Sequence, residues 1–266
     1  MKNKSIGLIG TGFVGGSLYK SFSIKNVSIK AYDKHKQEGS LQDLVDTDII
    51  FLCLPTPYVE GNGFDLGAIQ ENLKELSLIG YKGVCVIKST VEPGVTRRLA
   101  EQYKLRICHN PEFLSEKTAF EDFHNQKHIV IGLNNDKDGK SVVDLYKKLY
   151  KDAKISICKS EESEAMKLFC NNFYAMKVQI FNEFYFLCQK IGADFYDVKD
   201  IMLKNDWINE MHTQVPGRDG SISYGGHCFP KDTKALCHFM EVMGSPSGVL
   251  KACIEERDSM RESKLE

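Results

Sequence analysis

The sequence predicts an α/β fold, with an N-terminal doubly wound parallel sheet followed by an all-helical second domain with a long central helix. Three observations carry this prediction. Up to about residue 157, short apolar runs of strand length alternate with helical patterns. The alternation then stops. From Ser160 to Ile191 the chain has neither glycine nor proline, so one helix can run through it. We expect two domains, residues 1–158 and 159–266.

The first run, Ser5-Ile6-Gly7-Leu8-Ile9, reads as a buried strand and leads into Gly10-Thr11-Gly12-Phe13-Val14-Gly15, a G-x-G-x-x-G sequence. The apolar spacing of Val14, Leu18 and Phe22 continues it as a helix. Glycines in this pattern give a tight turn, close approach of backbone to a pyrophosphate, and close helix–strand packing. Alone the motif is weak. Here a second strand, 27–32, follows the helix and ends at Asp33, at the distance where an acid bonds a ribose 2′-hydroxyl. The expectation is a Rossmann-like site for NAD, built from Gly10, Thr11, Gly12, Phe13, Val14, Gly15 and Asp33.

Residues 48–54 form the next buried strand, stopped by Pro55-Thr56-Pro57. In this architecture such a stop puts a rigid loop at the carboxyl edge of the sheet, where ligands bind. A helix over 65–79, a strand over 84–88 ending at Ser89-Thr90, a helix over 95–103 and a strand over 105–108 follow. Next comes Asn110-Pro111-Glu112-Phe113-Leu114-Ser115-Glu116. On a helical turn Glu112 and Glu116 share a face. A strand over 128–132, a helix over 136–150 and a strand over 153–157 complete the sheet.

Ser160 is the expected N-cap of the long helix, with Glu161, Glu162 and Glu164 in the first turn, where the helix dipole favours anions. Lys167 and Asn171 lie one turn apart on this helix, and an asparagine in so apolar a stretch needs a partner if buried. Helices over 194–203, 231–243 and 249–263 are expected after it. Between them a loop delivers Gly225-Gly226-His227-Cys228-Phe229-Pro230-Lys231-Asp232-Thr233. This stretch presents a thiol with a cation and an acid three and four residues on.

Charge and cysteine usage narrow the classes. With 35 basic and 36 acidic side chains the formal charge is -1, which speaks against a nucleic-acid surface. The longest apolar runs are strand-sized, too short to span a bilayer, and Met1-Lys2-Asn3-Lys4 leads straight into a strand, with no signal peptide visible. Nine cysteines sit singly, without a C-x-x-C pair. A cytoplasmic protein with no disulfide scaffold and no metal site is the expectation. Only Cys228 lies in a glycine-flanked loop beside charged groups; the other eight read as packing.

Six stretches stand in one order: G-T-G-F-V-G, F-L-C-L-P-T-P, K-S-T-V-E-P-G, N-P-E-F-L-S-E, E-A-M-K-L-F-C-N-N and G-G-H-C-F-P-K-D-T. Together they closely resemble the UDP-glucose/GDP-mannose dehydrogenase family, over almost the whole chain. The resemblance implies oxidation of the C6 alcohol of a nucleotide-sugar to a carboxylate, with two NAD and a catalytic cysteine. It makes Cys228 the nucleophile, with Lys167, Asn171 and Asp232 around it and Glu112 and Thr90 handling water and protons. It puts Pro55, Thr56, Thr90, Glu116 and Lys231 at NAD. Glu112, Phe113, Leu114, Ser115, Glu116, Lys167, Asn171, Tyr224 and Gly225 would hold the sugar nucleotide. It also implies a homodimer through the helical domain. UDP-glucose is the expected substrate, with GDP-mannose or a UDP-N-acetylhexosamine as the alternative. A non-catalytic NAD or sugar-nucleotide binding module is the alternative from another class. The chain departs from the family in ending at Glu266, where full-length members carry a third, C-terminal domain. His227 and Gln126-Lys127-His128 also depart locally.

Overall fold

The computed structural model describes residues 4–115 and 117–262. Two compact units divide them: the first lies within residues 1–57 and 64–167, the second within 58–63 and 168–266.

In chain order the first unit opens with β1 (Ile6–Ile9), α1 (Phe13–Ile24), β2 (Ile29–Tyr32) and β3 (Ile49–Leu52). The two-residue strands β4 (Tyr58–Val59) and β5 (Gly63–Phe64), of which residues 58–63 are assigned to the second unit, pair apart from the main sheet. Then follow α2 (Gly67–Leu78), β6 (Val84–Ile87), α3 (Val95–Tyr103), β7 (Arg106–His109), α4 (Ala119–His124), β8 (His128–Leu133), α5 (Asp136–Leu149) and β9 (Lys154–Lys159). The sheet order is β2-β1-β3-β6-β7-β8-β9. All neighbours are parallel except β7 and β8, which meet antiparallel through Cys108–Leu133 and His109–Gly132. Strand β1 lies between β2 and β3, the switch in strand order that opens a crevice at the carboxyl edge.

The strand sequences account for their places. β1, β3 and β6 are buried along their whole length and are continuous apolar runs, as strands covered on both faces must be. β2 and β9, at the two ends of the order, are only partly covered. Beneath the helices Phe22, Phe51, Phe123, Tyr146 and Tyr150 make one aromatic cluster. Phe22 meets Phe51 edge-on at 5.8 Å between centroids, and Phe51 meets Tyr146 at 6.2 Å. Each such pair adds about 1 kcal/mol beyond the area it buries. Both buried phenols find partners, Tyr146 on Asn110 Oδ1 at 2.5 Å and Tyr150 on Ser21 Oγ at 2.9 Å.

The second unit is built on α6 (Ser160–Ile191) from Leu168 onward, with α7 (Phe195–Leu203), α8 (Phe229–Val242) and α9 (Gly248–Glu262). Gly192, at φ +72°, ends α6, and Asp194 then caps α7 by accepting the N–H groups of Tyr196 (2.7 Å) and Asp197 (3.2 Å). Phe181, Cys188, Phe195 and Val215 form one small core, and Ala175, Tyr224 and Cys253 another. Among the described residues no helix is long and apolar enough to cross a membrane.

Several features differ from the sequence reading. The 3-10 turn Leu41–Leu44, closed by a Ser40–Asp43 capping box, the β4–β5 pair and the six-residue α4 were not anticipated. Each is too short to display a period. Ser160 opens α6 rather than capping it. Its hydroxyl donates to Asn134 Oδ1 at 2.7 Å, and Glu162 reaches back to the Lys159 N–H at 2.9 Å instead. Residues 111–115 form no helical turn, and the expected pairing of Glu112 with Glu116 lies outside the described residues. Pro111 biases Asn110 away from helix, and Glu112 Oε2 takes the Leu114 N–H at 2.6 Å, a local bond that competes with helix.

Candidate functional site

The glycine motif joins β1 to α1. Gly10 has φ +87°, and a Cβ there would fall 2.4 Å from the Cys53 carbonyl oxygen. A Cβ on Gly15 would fall 1.9 Å from the Gly10 carbonyl oxygen. These two glycines close the turn and bring helix onto strand. Gly12 is different: a Cβ there meets no protein atom within 4 Å, and its backbone opens α1 without a capping side chain or an acid in the first turn. The first N–H groups of α1 therefore have no capping side chain and open space beside Gly12, the arrangement that takes a phosphate. Phe13 and Val14 form the first turn of that helix.

Asp33 stands at the end of β2. Its Oδ2 accepts the Thr11 N–H (2.8 Å) and hydroxyl (3.1 Å), and its Oδ1 accepts the N–H groups of His35 and Lys36. Burial works against the charge, but these four bonds hold the carboxyl below its usual range, so it is ionised at neutral pH. The donor set, with open helix N–H groups, an unfilled Gly12 face and an ionised acid at the second strand, fits a dinucleotide.

At the ends of β3, β6 and β7 the loops are tied together. Thr56 Oγ1 donates to the Thr90 carbonyl at 2.8 Å, and Ser89 Oγ donates to the Leu54 carbonyl at 2.5 Å; Pro55, between these anchors, is exposed. Glu112 Oε1 lies 3.4 Å from Lys167 Nζ, which sits 5.3 Å from the centre of the Phe113 ring. Leu114 and Ser115 are half-buried, with the Ser115 N–H on Asp122 Oδ2 at 2.9 Å. Glu116 lies outside the described residues.

Behind these loops is a buried polar scaffold of residues to which the motif reading gave no site role. Lys88, 3% exposed, donates to both the carbonyl and Oδ1 of Asn110 at 2.9 Å; burial lowers its pKa to about 8. His109 bonds Ser163 Oγ through Nδ1 at 2.8 Å and meets the Ser89 carbonyl at Nε2; burial lowers it to about 3, so it is neutral. Glu164, fully buried, takes the N–H groups of Gly94 (2.6 Å) and Thr96 (2.7 Å) at the start of α3, and burial raises it to about 7. The sequence did hold a signal for Lys88. A charged residue ending a fully apolar strand must be paired when it is buried.

In the second unit the buried Asp232 is the centre of a second group. Its Oδ2 accepts from Asn171 Nδ2 at 2.6 Å and its Oδ1 from Lys231 Nζ at 2.5 Å. Its carbonyl takes Asn172 Nδ2 at 3.2 Å. Asn171 thus has the partner that its position in an apolar helix demanded. Cys228 is the N-cap residue of α8, with Pro230 in the first turn, and its carbonyl accepts the Asp232 N–H at 3.0 Å. Among the nine cysteines it is the exposed one. Burial pushes the thiols of Cys53 and Cys108 up to about 12 and that of Cys253 up to about 11, which keeps them protonated. Tyr224 is buried and Gly225 half-buried in the loop ahead of Cys228.

The structure therefore gathers the expected residues into local groups. Gly10–Gly15 stand with Asp33, Thr56 with Thr90, and Glu112 with Phe113 and Lys167. In the second unit Asn171 and Lys231 meet on Asp232, four residues past Cys228.

Residues 36–150 match the NAD binding domain of the UDP-glucose/GDP-mannose dehydrogenase family, and residues 161–258 match its central domain. A UDP-glucose 6-dehydrogenase of Campylobacter jejuni is 31% identical over 248 residues, covering 91% of this chain and 59% of that protein. The UDP-glucose 6-dehydrogenase TuaD of Bacillus subtilis is 29% identical over 306 residues, covering 97% of this chain and 64% of that protein. The structure of a UDP-glucose dehydrogenase from Pyrobaculum islandicum superposes with a TM-score of 0.85 at 25% identity, covering 96% of this chain and 68% of that one. The chain spans about three fifths of the length of the relatives it matches in sequence. It belongs to the UDP-glucose/GDP-mannose dehydrogenase family, of which it carries the NAD-binding and central domains.

Proposed function

We propose that this chain carries out, with bound NAD, the four-electron oxidation of the C6 alcohol of a nucleotide-sugar to the carboxylate, with UDP-glucose as substrate. The observation that carries the reading is Asp232, a fully buried carboxylate held by Asn171 and Lys231 four residues beyond the exposed Cys228. A chain that only packed its helices has no need of a desolvated acid tied to an amide and an ammonium beside an exposed thiol.

Bound NAD supplies the hydride acceptor, one equivalent for each oxidation. In the first, the alcohol gives up a hydride from C6 and a proton from its hydroxyl, leaving an aldehyde. The Cys228 sulfur adds to the aldehyde carbon to give a thiohemiacetal. Loss of a second hydride from C6 and of the proton from its hydroxyl makes a thioester, and water then cleaves the carbon–sulfur bond, releasing the carboxylate, a proton and the thiol. Lys167 and Asn171 are donors suited to the oxyanion that develops at C6. Glu112, ion-paired with Lys167, and Asp232 are the carboxylates suited to positioning the water and taking its proton.

The test is absorbance at 340 nm with NAD and UDP-glucose, GDP-mannose or a UDP-N-acetylhexosamine in turn. Two NADH per UDP-glucose consumed is expected. Two NADH from another of these sugars moves the substrate assignment. NAD binding without turnover of any of them replaces the reading with a non-catalytic binding module. We also infer that the second unit pairs with a second copy of the chain. Exposed Phe169, Phe173, Leu187 and Ile191 on α6 support this. Light scattering is expected to give twice the chain mass; a monomer at micromolar concentration overturns the pairing.

A further inference from the structure

Ser223 is one of six non-glycine residues with positive φ among the described residues, at φ +56°, and it lies five residues before Cys228. A left-handed conformation costs a residue with a Cβ about 1–2 kcal/mol, so the surroundings must over-determine it. They do. The Ser223 N–H donates to Asn182 Oδ1 at 2.8 Å and its hydroxyl to Gln179 Oε1 at 2.5 Å. Its carbonyl accepts from Arg261 Nη2 at 3.0 Å. Every polar atom of Ser223 is thus taken, by two residues of α6 and one of α9.

The hold extends to both sides. The Tyr224 carbonyl accepts from Arg257 Nε at 3.2 Å, and the Arg257 guanidinium lies 5.6 Å from the centre of the Tyr224 ring. Arg261 Nη2 also reaches Asp219 Oδ2 at 3.0 Å. Burial works against a charge on Asp219, but the Ser221 N–H and Arg261 hold its carboxyl below its usual range. Arg261 lies so close to Gly225 that a Cβ there would fall 2.6 Å from its guanidinium. Gln179, Asn182, Ser223 and Tyr224 are each at most 2% exposed. Several of these bonds end on main-chain atoms of the loop rather than on the facing helix. Gln179 Nε2 also donates to Met260 Sδ of α9 at 3.3 Å, but a cluster that served only to join α6 to α9 would not end on the loop's main chain as well.

We propose that Gln179 and Asn182 of α6 and Arg257 and Arg261 of α9 are positioning residues that lock the loop 219–226 through Ser223, and so set how Cys228 and the nucleotide-sugar meet. The proposal rests on the reading of Cys228 as the nucleophile. The lock and its consequence have separate readouts.

Amide hydrogen exchange of residues 219–228 reads the lock. Gln179→Ala and Arg261→Ala are each expected to speed it about tenfold, the effect of losing one buried or charged hydrogen bond. Exchange elsewhere in α6 stays at the parent rate. Ser223→Gly, which accepts the positive φ but loses the hydroxyl bond, is the milder variant should either of the others fail to fold, with a smaller acceleration of the same segment. Steady-state kinetics read the consequence. The nucleotide-sugar KM is expected to rise about fivefold or more in Arg261→Ala while the NAD KM stays within about twofold, with partial recovery in Arg261→Lys, which keeps the charge but not the planar fork. Parent exchange rates in Gln179→Ala and Arg261→Ala overturn the lock. Faster exchange with parent KM and kcat overturns the positioning role. If the parent chain turns over no nucleotide-sugar, the proposed function fails, and the exchange experiment still decides the lock.

Discussion

Replacing Cys228 by serine is expected to abolish net formation of the carboxylate, by on the order of 10³-fold or more, while NAD binding stays at the parent value. Serine keeps the shape of the side chain and the N-cap position at α8. It replaces a sulfur nucleophile with a hydroxyl oxygen, a much weaker nucleophile toward a carbonyl. Without thioester formation the second oxidation has no covalent route. The first hydride transfer needs no thiol, so one equivalent of NADH and a free or hydrated aldehyde are the products to look for. Gly10–Gly15 and Asp33, proposed to hold NAD, belong to the first unit, and the serine variant leaves every one of them untouched. Two measurements suffice: NADH yield per sugar, and NAD affinity by calorimetric titration. Acid production at the parent rate would remove Cys228 from the mechanism.

The second large effect is expected at the glycine motif, where two substitutions of the same size should fail in different ways. In Gly15→Ala the new methyl falls 1.9 Å from the Gly10 carbonyl oxygen. Gly10 has little room to retreat, because its N–H is held by the Tyr32 carbonyl at 2.9 Å and a Cβ at its own position would already strike the Cys53 carbonyl. Helix α1 must lift off β1, at a cost of about 1–3 kcal/mol. A chain of this size is then expected to melt several degrees lower and to bind NAD at least about tenfold more weakly. In Gly12→Ala the methyl meets no protein atom within 4 Å and the backbone, at φ -69°, accepts alanine. The melting temperature should stay at the parent value while NAD affinity falls, because the methyl occupies the approach of the pyrophosphate. Parent NAD affinity in Gly12→Ala would show that the dinucleotide does not pass this glycine.

Much of the architecture was legible because periodicity and glycine placement are local properties. The continuous apolar runs at 6–9, 49–52 and 84–87 mark strands covered on both faces, and the helix from Ser160 was marked by the lack of any breaker before Gly192. The expected α3 matches residue for residue, since Gly94 before it and a left-handed Lys104 after it delimit the turn pattern. What escaped was short or depended on distant partners. No local pattern distinguishes an antiparallel β8 from a parallel one. Hairpin β4–β5 is two residues a side, and α4 lacks a second turn in which to repeat.

The candidate site divides along the same line. The residue types and spacings of Gly10–Gly15, Asp33, Lys167, Asn171, Cys228 and Asp232 stand in the sequence itself, because motif spacing is a local property of the chain. Pairing does not. That Asn171 closes on Asp232, that Lys167 meets Glu112, and that Thr56 holds Thr90 are contacts between residues far apart in the chain. The buried scaffold of Lys88, His109 and Glu164, and the hold of Gln179, Asn182, Arg257 and Arg261 on Ser223, are of this kind too. Side-chain type tells which group can donate or accept; only packing decides which partner lies within 3 Å once water is gone. The sequence by itself determined the elements, the glycine motif and the exposed thiol motif, and the tertiary structure decided which buried polar groups hold each of them in place.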